Sequence, residues 1–301
     1  MTEQHDQRAR RLAMVLEPVA AQVYFSPECH AAYAALGFSP SPGTTSSGVQ
    51  LPDGPAYFTS RGSVMGQVSG AVVAAAFGVF NPEAVVPSVA FGWNKVDAPT
   101  ICAARTDGGV AQIERVLGPS PEGLARVTSL LETAVAPLRP EGKPLYAGLL
   151  GLGLPGEPLA NAWRLADMLR EYRGDAHTAA WTSAVLDATE IGLLTEPHWG
   201  IPLRTYVRTR AWSDEQLDAA EARLVERGLL AGGALTDDGR VLRESIEAAT
   251  DAQCAPMLEA LGNDGLEELI SLLTPWGKAI REAGGYPVQG PHELAALSAR
   301  A

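Results

Sequence analysis

The stretch LREYRGDAHTAAW, residues 169–181, gathers two guanidiniums, a carboxylate, an imidazole and an indole within a few helical turns: Arg170, Arg173, Asp175, His177 and Trp181. Side chains four apart share a helix face, so Arg173, His177 and Trp181 form one stripe. A stripe with an apolar ring and placed polar anchors is suited to holding a small ligand. A second chemistry is open to Asp175 and His177, as a base and its orienter, if the backbone bends at Gly174. The competing structural reading is an Arg173–Asp175 ion pair beside a histidine hydrogen-bonded in the core. Tyr24 takes the place of His177 when the two halves of the chain are aligned as described below, and it joins the candidate set together with Trp93. Trp199 is a further aromatic of the same type.

Other chemistry is sparse. Cys29 and His30 are adjacent, and helix neighbours point about 100° apart, so they are not a ready nucleophile and base. No GxSxG, HExxH, phosphate loop or dinucleotide fingerprint occurs, and GLLGLGLPGEP (148–158) has glycines without the phosphate-loop lysine. A haem or metal at His177 or His198 lacks an identifiable partner ligand. The sequence therefore leaves any cofactor unknown and disfavours an enzyme.

The elements that must position these residues repeat. TDGGVAQIERVLG (106–118) returns as TDAQCAPMLEALG (250–262), and GLARVTSLL (123–131) as GLEELISLL (265–273). Upstream, residues 60–80 align with 209–229, and Arg11-Leu12-Ala13 with Arg164-Leu165-Ala166. The order is kept, as a tandem duplication of a unit of about 140 residues, one domain in size, would leave it. Helical periodicity runs through 8–25 and through 161–194; Pro27 starts a second helix that Gly37 closes. Residues 39–55 read as a flexible surface loop. The segment 203–212 alternates in the manner of a strand with one solvated face.

With 301 residues, 46% of them hydrophobic, the chain can bury one large or two moderate cores. The longest apolar run, residues 70–80, is far below the roughly 20 residues of a membrane span. The polar N-terminus lacks a signal peptide and three scattered cysteines lack metal or disulfide spacing, which places the protein in the cytoplasm with buried thiols.

One segment is locally specific. Ser213 and Gln216 form a capping box, Leu217, Ala220, Leu224 and Val225 give the helix its apolar face, and Gly228 ends it. Leu229-Leu230, the Gly232-Gly233 turn and Ala234-Leu235-Thr236 then make a hairpin, and a new helix starts at Thr236 or Asp237. Helix, hairpin, helix is the order of a winged helix. Residues 227–251, RGLLAGGALTDDGRVLRESIEAATD, resemble the wing and following helix of the MarR class of regulators. With Leu16-Glu17-Pro18, Tyr24-Phe25-Ser26-Pro27-Glu28 and residues 169–177, the chain is also similar to an actinobacterial helix-turn-helix family to which no biochemical activity attaches.

The resemblance implies a mainly α fold of two tandem winged-helix, MarR-like units forming an intramolecular pseudo-dimer. Its parts are a degenerate N-terminal unit at 1–136, a packed linker at 137–160, a C-terminal unit at 161–285 and an irregular tail at 286–301. DNA binding is disfavoured without being ruled out. The helix at 213–228 sets five carboxylates against Arg223 and Arg227, its aligned counterpart at 63–80 has no charge, and the chain carries −12. The expected partner is a small apolar or aromatic ligand, held by Tyr24, Trp93, Arg173, Asp175, His177 and Trp181 in a monomer with an internal pseudo-two-fold. The protein would then act as a sensor or a sequestering module. A DNA-binding regulator and an enzyme using Asp175 and His177 are the alternatives.

Overall fold

The apolar stripe at 8–25 winds into α1 (Thr2–Ala20) and ends in a 3-10 turn, Ala21–Tyr24. The computed structural model describes residues 2–45 and 47–287. Local caps set the helix starts that follow. Ser26, Asp53, Ser69, Asn81 and Asp97 each accept a backbone N–H of the first turn, opening α2 (Pro27–Ala35), α3 (Gly54–Gly62), α4 (Gly70–Phe77), α5 (Pro82–Trp93) and α6 (Ala98–Leu117). Helix α6 closes on Gly118 and leads to α7 (Leu124–Val135). Residues 137–160 contain α8 (Pro144–Leu152), with Leu145, Tyr146 and Leu149 buried.

The second half opens with α9 (Pro158–Ser183) and α10 (Ala188–His198), the latter starting from an Asp187/Glu190 capping box. The expected helix, hairpin and helix follow as α11 (Asp214–Glu226), β1 (Leu230–Ala231) with β2 (Ala234–Leu235), and α12 (Asp237–Gln253). Ser213 and Gln216 do form the capping box, Thr236 is the cap of α12, and Leu230 pairs with Leu235. The last helix, α13 (Ala255–Glu282), is broken at Gly262, whose φ of 63° needs no Cβ strain in a glycine.

Two expectations are corrected. Residues 203–212 form no strand: bends lead into a 3-10 turn at Val207–Arg210, because Glu196 gathers their N–H groups. Residues 60–80 are not one helix but the end of α3, a 3-10 turn at Ser63–Met65 and α4. The helix that leads into α6 is α5. The loop before α3 carries one bridge, Thr44 to Gln50, and all but the first two residues of the expected tail lie outside the described residues.

Packing couples the halves. Helix α1 lies on α13, α9 lies on α7, α1 and α9 contact each other, and α7 faces α13. Gly123 sits against Leu272 while Gly265 sits against Leu130, and Arg126 meets Glu268 at 2.5 Å. Most apolar side chains form one cluster, with a smaller one around Trp181, Leu193, Leu217 and the hairpin. All three cysteines are buried and unpaired, and no described helix is long and apolar enough to cross a membrane.

Helix α2 crosses α6 at Gly108, where a Cβ would stand 2.7 Å from Cys29 Sγ and 2.8 Å from its backbone. Gly108→Ala should cost about 1–3 kcal/mol by overpacking, or several degrees of Tm. Gly151, whose Cβ would meet nothing, should tolerate alanine. Thermal unfolding by circular dichroism of the two variants checks this; equal melting would mean that α2 does not pack this closely.

Candidate ligand cavity

The centre of the molecule is polar, and it fixes how α9 crosses the first half. Glu171, only 2% exposed, takes Nε and Nη2 of Arg61 at 3.0 and 2.7 Å, Arg170 Nη1 at 2.8 Å and the hydroxyl of Tyr24 at 3.2 Å. Burial alone would push its carboxyl up, but Arg61 and Arg170 hold it down at about 2. One turn earlier Asp167 takes a bidentate fork from Arg105 at 2.8 and 3.1 Å. Removing one member of such a buried pair leaves the other desolvated and without its partner, which is the costly change.

Beside this network lies a cavity of about 590 Å³, the size of known small-molecule sites. Helices α1, α9 and α12 form one side; α3, α4 and the turn after it form another; α10 and the segment 206–210 close it. Its apolar surface comes from residues such as Leu12, Leu16, Phe77, Phe80, Ile191 and Trp199.

The sequence candidates divide. Arg173, Asp175 and His177 line the cavity, as do Arg170 and Trp199, whereas Tyr24, Trp93 and Trp181 do not. Tyr24 is spent in the ionic network; Trp93 donates Nε1 to Val68 O at 2.6 Å against the α3–α5 helices; Trp181 is buried beneath Gly78. Arg173 pairs with Asp251 at 2.8 Å and Glu247 at 3.1 Å, not with Asp175. Asp175 instead caps α8, its Oδ2 accepting the N–H groups of Leu145 and Tyr146 at 3.1 and 3.0 Å. His177 Nδ1 lies 3.1 Å from Thr250 Oγ1, within the repeated Thr-Asp pair, and about a quarter of its side chain remains open.

Asp175 and His177 therefore hold separate partners, which removes the expected base and orienter geometry. Burial raises Asp175 to about 7 and pulls His177 down to about 3, so the imidazole is neutral at pH 7. Cys29 is likewise pushed up to about 12 by burial, and His30 is held by Gln50 and by Tyr24 O. Among the described residues no cluster of His, Cys, Asp and Glu could hold a metal ion.

Sequence reading missed Glu196. Its fully buried carboxylate accepts N–H groups of Arg204, Tyr206 and Val207 at 2.5, 2.6 and 2.8 Å, and so shapes the segment that closes the cavity. Arg204 and Ala211 adopt left-handed φ of 65° and 64° there, a conformation non-glycine residues keep only when the surroundings dictate it. The only signal was a glutamate inside the apolar run IGLLTEPHW.

The outer end of this segment clasps the other half. Asn81, cap of α5, donates its N–H to Arg210 O at 2.9 Å and its amide to Ala211 O and Gln216 Oε1 at 3.0 and 3.1 Å; Trp212 donates to Val79 O at 3.0 Å. Arginines around α11 are paired with carboxylates: Arg204 with Asp218 and Glu221, Arg208 with Asp214, Arg223 with Asp187 and Glu190, and Arg227 with Glu190.

The architecture defines a mainly α protein that carries a helix, hairpin, helix segment and, beside it, a ligand-sized space lined by α1, α3, α4, α9, α10, α12 and residues 206–210. Residues 9–287 match a helix-turn-helix family, and the chain belongs to that family. No curated protein and no solved structure matches it.

The pH dependence of Asp175 follows from its raised folded-state value. The folded chain prefers the protonated acid, so its contribution to stability is greatest at acid pH and falls as pH rises from the unfolded value near 4 through about 7. Asp175→Asn keeps an acceptor for the α8 N–H groups and removes the buried charge. It should therefore raise Tm relative to the parent at pH 8 and not at pH 5. Paired melts at the two pH values test this; a gain confined to pH 5 would contradict it.

Proposed function

We propose that this helix-turn-helix protein binds a small apolar or aromatic molecule in the central cavity and works as a sensor or sequestering module, without strong DNA binding. One observation carries this reading: the turn preceding α5 is clasped to the segment preceding α11, and the cavity lies directly behind the clasp. The segments that lead into α5 and α11 thus close one side of a ligand-sized space.

The proposed frame is a tandem pair of winged-helix, MarR-like units, 1–136 and 161–285, arranged as a pseudo-dimer inside one chain. Its support is reciprocity. Gly123 and Leu130 recur as Gly265 and Leu272, each glycine lies against the other copy's leucine, and Arg126 meets its own counterpart, Glu268. A residue touching its own equivalent is what an isologous two-fold contact requires. Helix α1 on α13 and α9 on α7 extend the same exchange.

A DNA-binding regulator is disfavoured on charge. Around α11, Arg204, Arg208, Arg223 and Arg227 are neutralised by neighbouring carboxylates, and α5 carries Glu83 with exposed Val86 and Phe91. Backbone affinity for DNA comes largely from unspent cations that release counterions.

Mixed-sequence duplex at moderate salt should give no shift with micromolar protein, and native mass spectrometry should find a monomer carrying a small molecule. A salt-sensitive shift weakened by Arg208→Ala would overturn the reading.

His177→Ala should weaken binding of the co-purifying molecule. It should also remove one partner of Thr250, which keeps its bond to Ile246 O at 2.8 Å, so the stability cost should be at most about 1 kcal/mol. Unchanged affinity by calorimetry, with a large loss of Tm, would return His177 to a purely structural role.

A further inference from the structure

Six arginines line the cavity, and five have a carboxylate in hand. Arg10 meets Glu244 at 2.6 Å and Asp251 at 2.7 Å; Arg61 meets Glu171 at 2.7 Å; Arg170 meets Glu17 at 2.9 Å. Arg173 has Asp251 at 2.8 Å and Arg243 has Glu247 at 2.7 Å. Arg210 is the exception: among the described residues it forms no ion pair. Its guanidinium carbon lies 4.1 Å from the ring centre of Tyr206 and 4.7 Å from that of Phe80, and it donates Nη2 to the Tyr206 hydroxyl. Its Nε is buried without an acceptor.

The position of this cation is imposed. Glu196 shapes the segment that carries it, Asn81 holds its carbonyl, and Phe80 from the first half supplies one of its aromatic neighbours. Two ring faces attract a guanidinium, but they satisfy none of its N–H donors. A cation with unspent donors in a partly dry site lacks a counter-charge, and a charge-assisted hydrogen bond is strongest where water is scarce. The neighbouring walls, Phe77, Phe80 and Ile191, offer apolar surface to the rest of a ligand.

Resting on the cavity reading above, we infer that the ligand is an amphipathic anion: an acidic head of carboxylate or sulfonate size bound at Arg210 between Phe80 and Tyr206, with an apolar body in the cavity. The neutrality of the other arginines makes Arg210 the discriminating residue. It selects an anion over a neutral molecule of the same shape.

Two fluorescent probes with one skeleton test this: 8-anilinonaphthalene-1-sulfonate and its uncharged parent, N-phenyl-1-naphthylamine. Both should bind the full chain, and Ala13→Phe, which fills the cavity from α1, should abolish both. Arg210→Ala should weaken the sulfonate about 10- to 100-fold, the worth of one charge-assisted hydrogen bond, while leaving the neutral probe within about threefold. Arg210→Lys should retain most of the sulfonate affinity. If Arg210→Ala does not fold by near-ultraviolet circular dichroism, Arg210→Gln, which keeps length without charge, carries the same comparison. Failure of both probes to bind, or binding indifferent to Ala13→Phe, would overturn the cavity reading and the inference with it. Cavity binding of both probes with equal losses, or with none, in the Arg210 variants would leave the cavity and overturn the anion subsite alone.

Discussion

A buried carboxylate is costly unless several donors converge on it, and Glu171 is where this constraint acts on the whole molecule. The donors come from α3 through Arg61, from the 3-10 turn after α1 through Tyr24, and from α9 itself through Arg170. Arg105 on α6 binds Asp167 and also reaches the Tyr24 hydroxyl at 3.2 Å, so a fourth element is tied in. Apolar burial holds these helices together, but apolar contacts slide; a fork of N–H groups on a carboxylate has one geometry. The crossing of α9 with the first half is set there.

A polar centre shapes what surrounds it. Side chains that must keep their ionic partners cannot also collapse inward, and the cavity opens on the flank of the network rather than in the aliphatic core. Its walls are charged and paired on the α1, α9 and α12 side and aromatic on the other. Neutrality within the pairs leaves the space less polar than its count of charges suggests.

The family is a helix-turn-helix family, and in this chain the segments leading into α5 and α11 are bound to each other. Asn81 caps a helix and binds the opposite half with the same side chain. Around α11 the arginines that a DNA backbone would need answer to Asp187, Glu190, Asp214, Asp218 and Glu221.

What the sequence determined is local. Ser213 with Gln216, Thr236 before α12, Pro27 after Ser26 and the glycine pair of the hairpin act over three or four residues, and each fell where its chemistry put it. The echo of Gly123 and Leu130 in Gly265 and Leu272 was visible as a pattern, though not as a contact. Arg173 and His177 were legible as neighbours on one helix face because they stand four residues apart, and Asp175 as a polar residue beside them. Their partners were not: Asp251 is 78 residues from Arg173, and the N–H groups that bind Asp175 lie 29 and 30 residues back. Tertiary structure alone buried Tyr24 and Trp181, turned the alternating 203–212 segment into a bend around Glu196, and left Arg210 without a carboxylate partner among the described residues. Periodicity tells which face of an element is hidden. Which charge meets which, and which is left over, depends on groups far apart in the chain that only packing brings within 3 Å of each other or keeps apart.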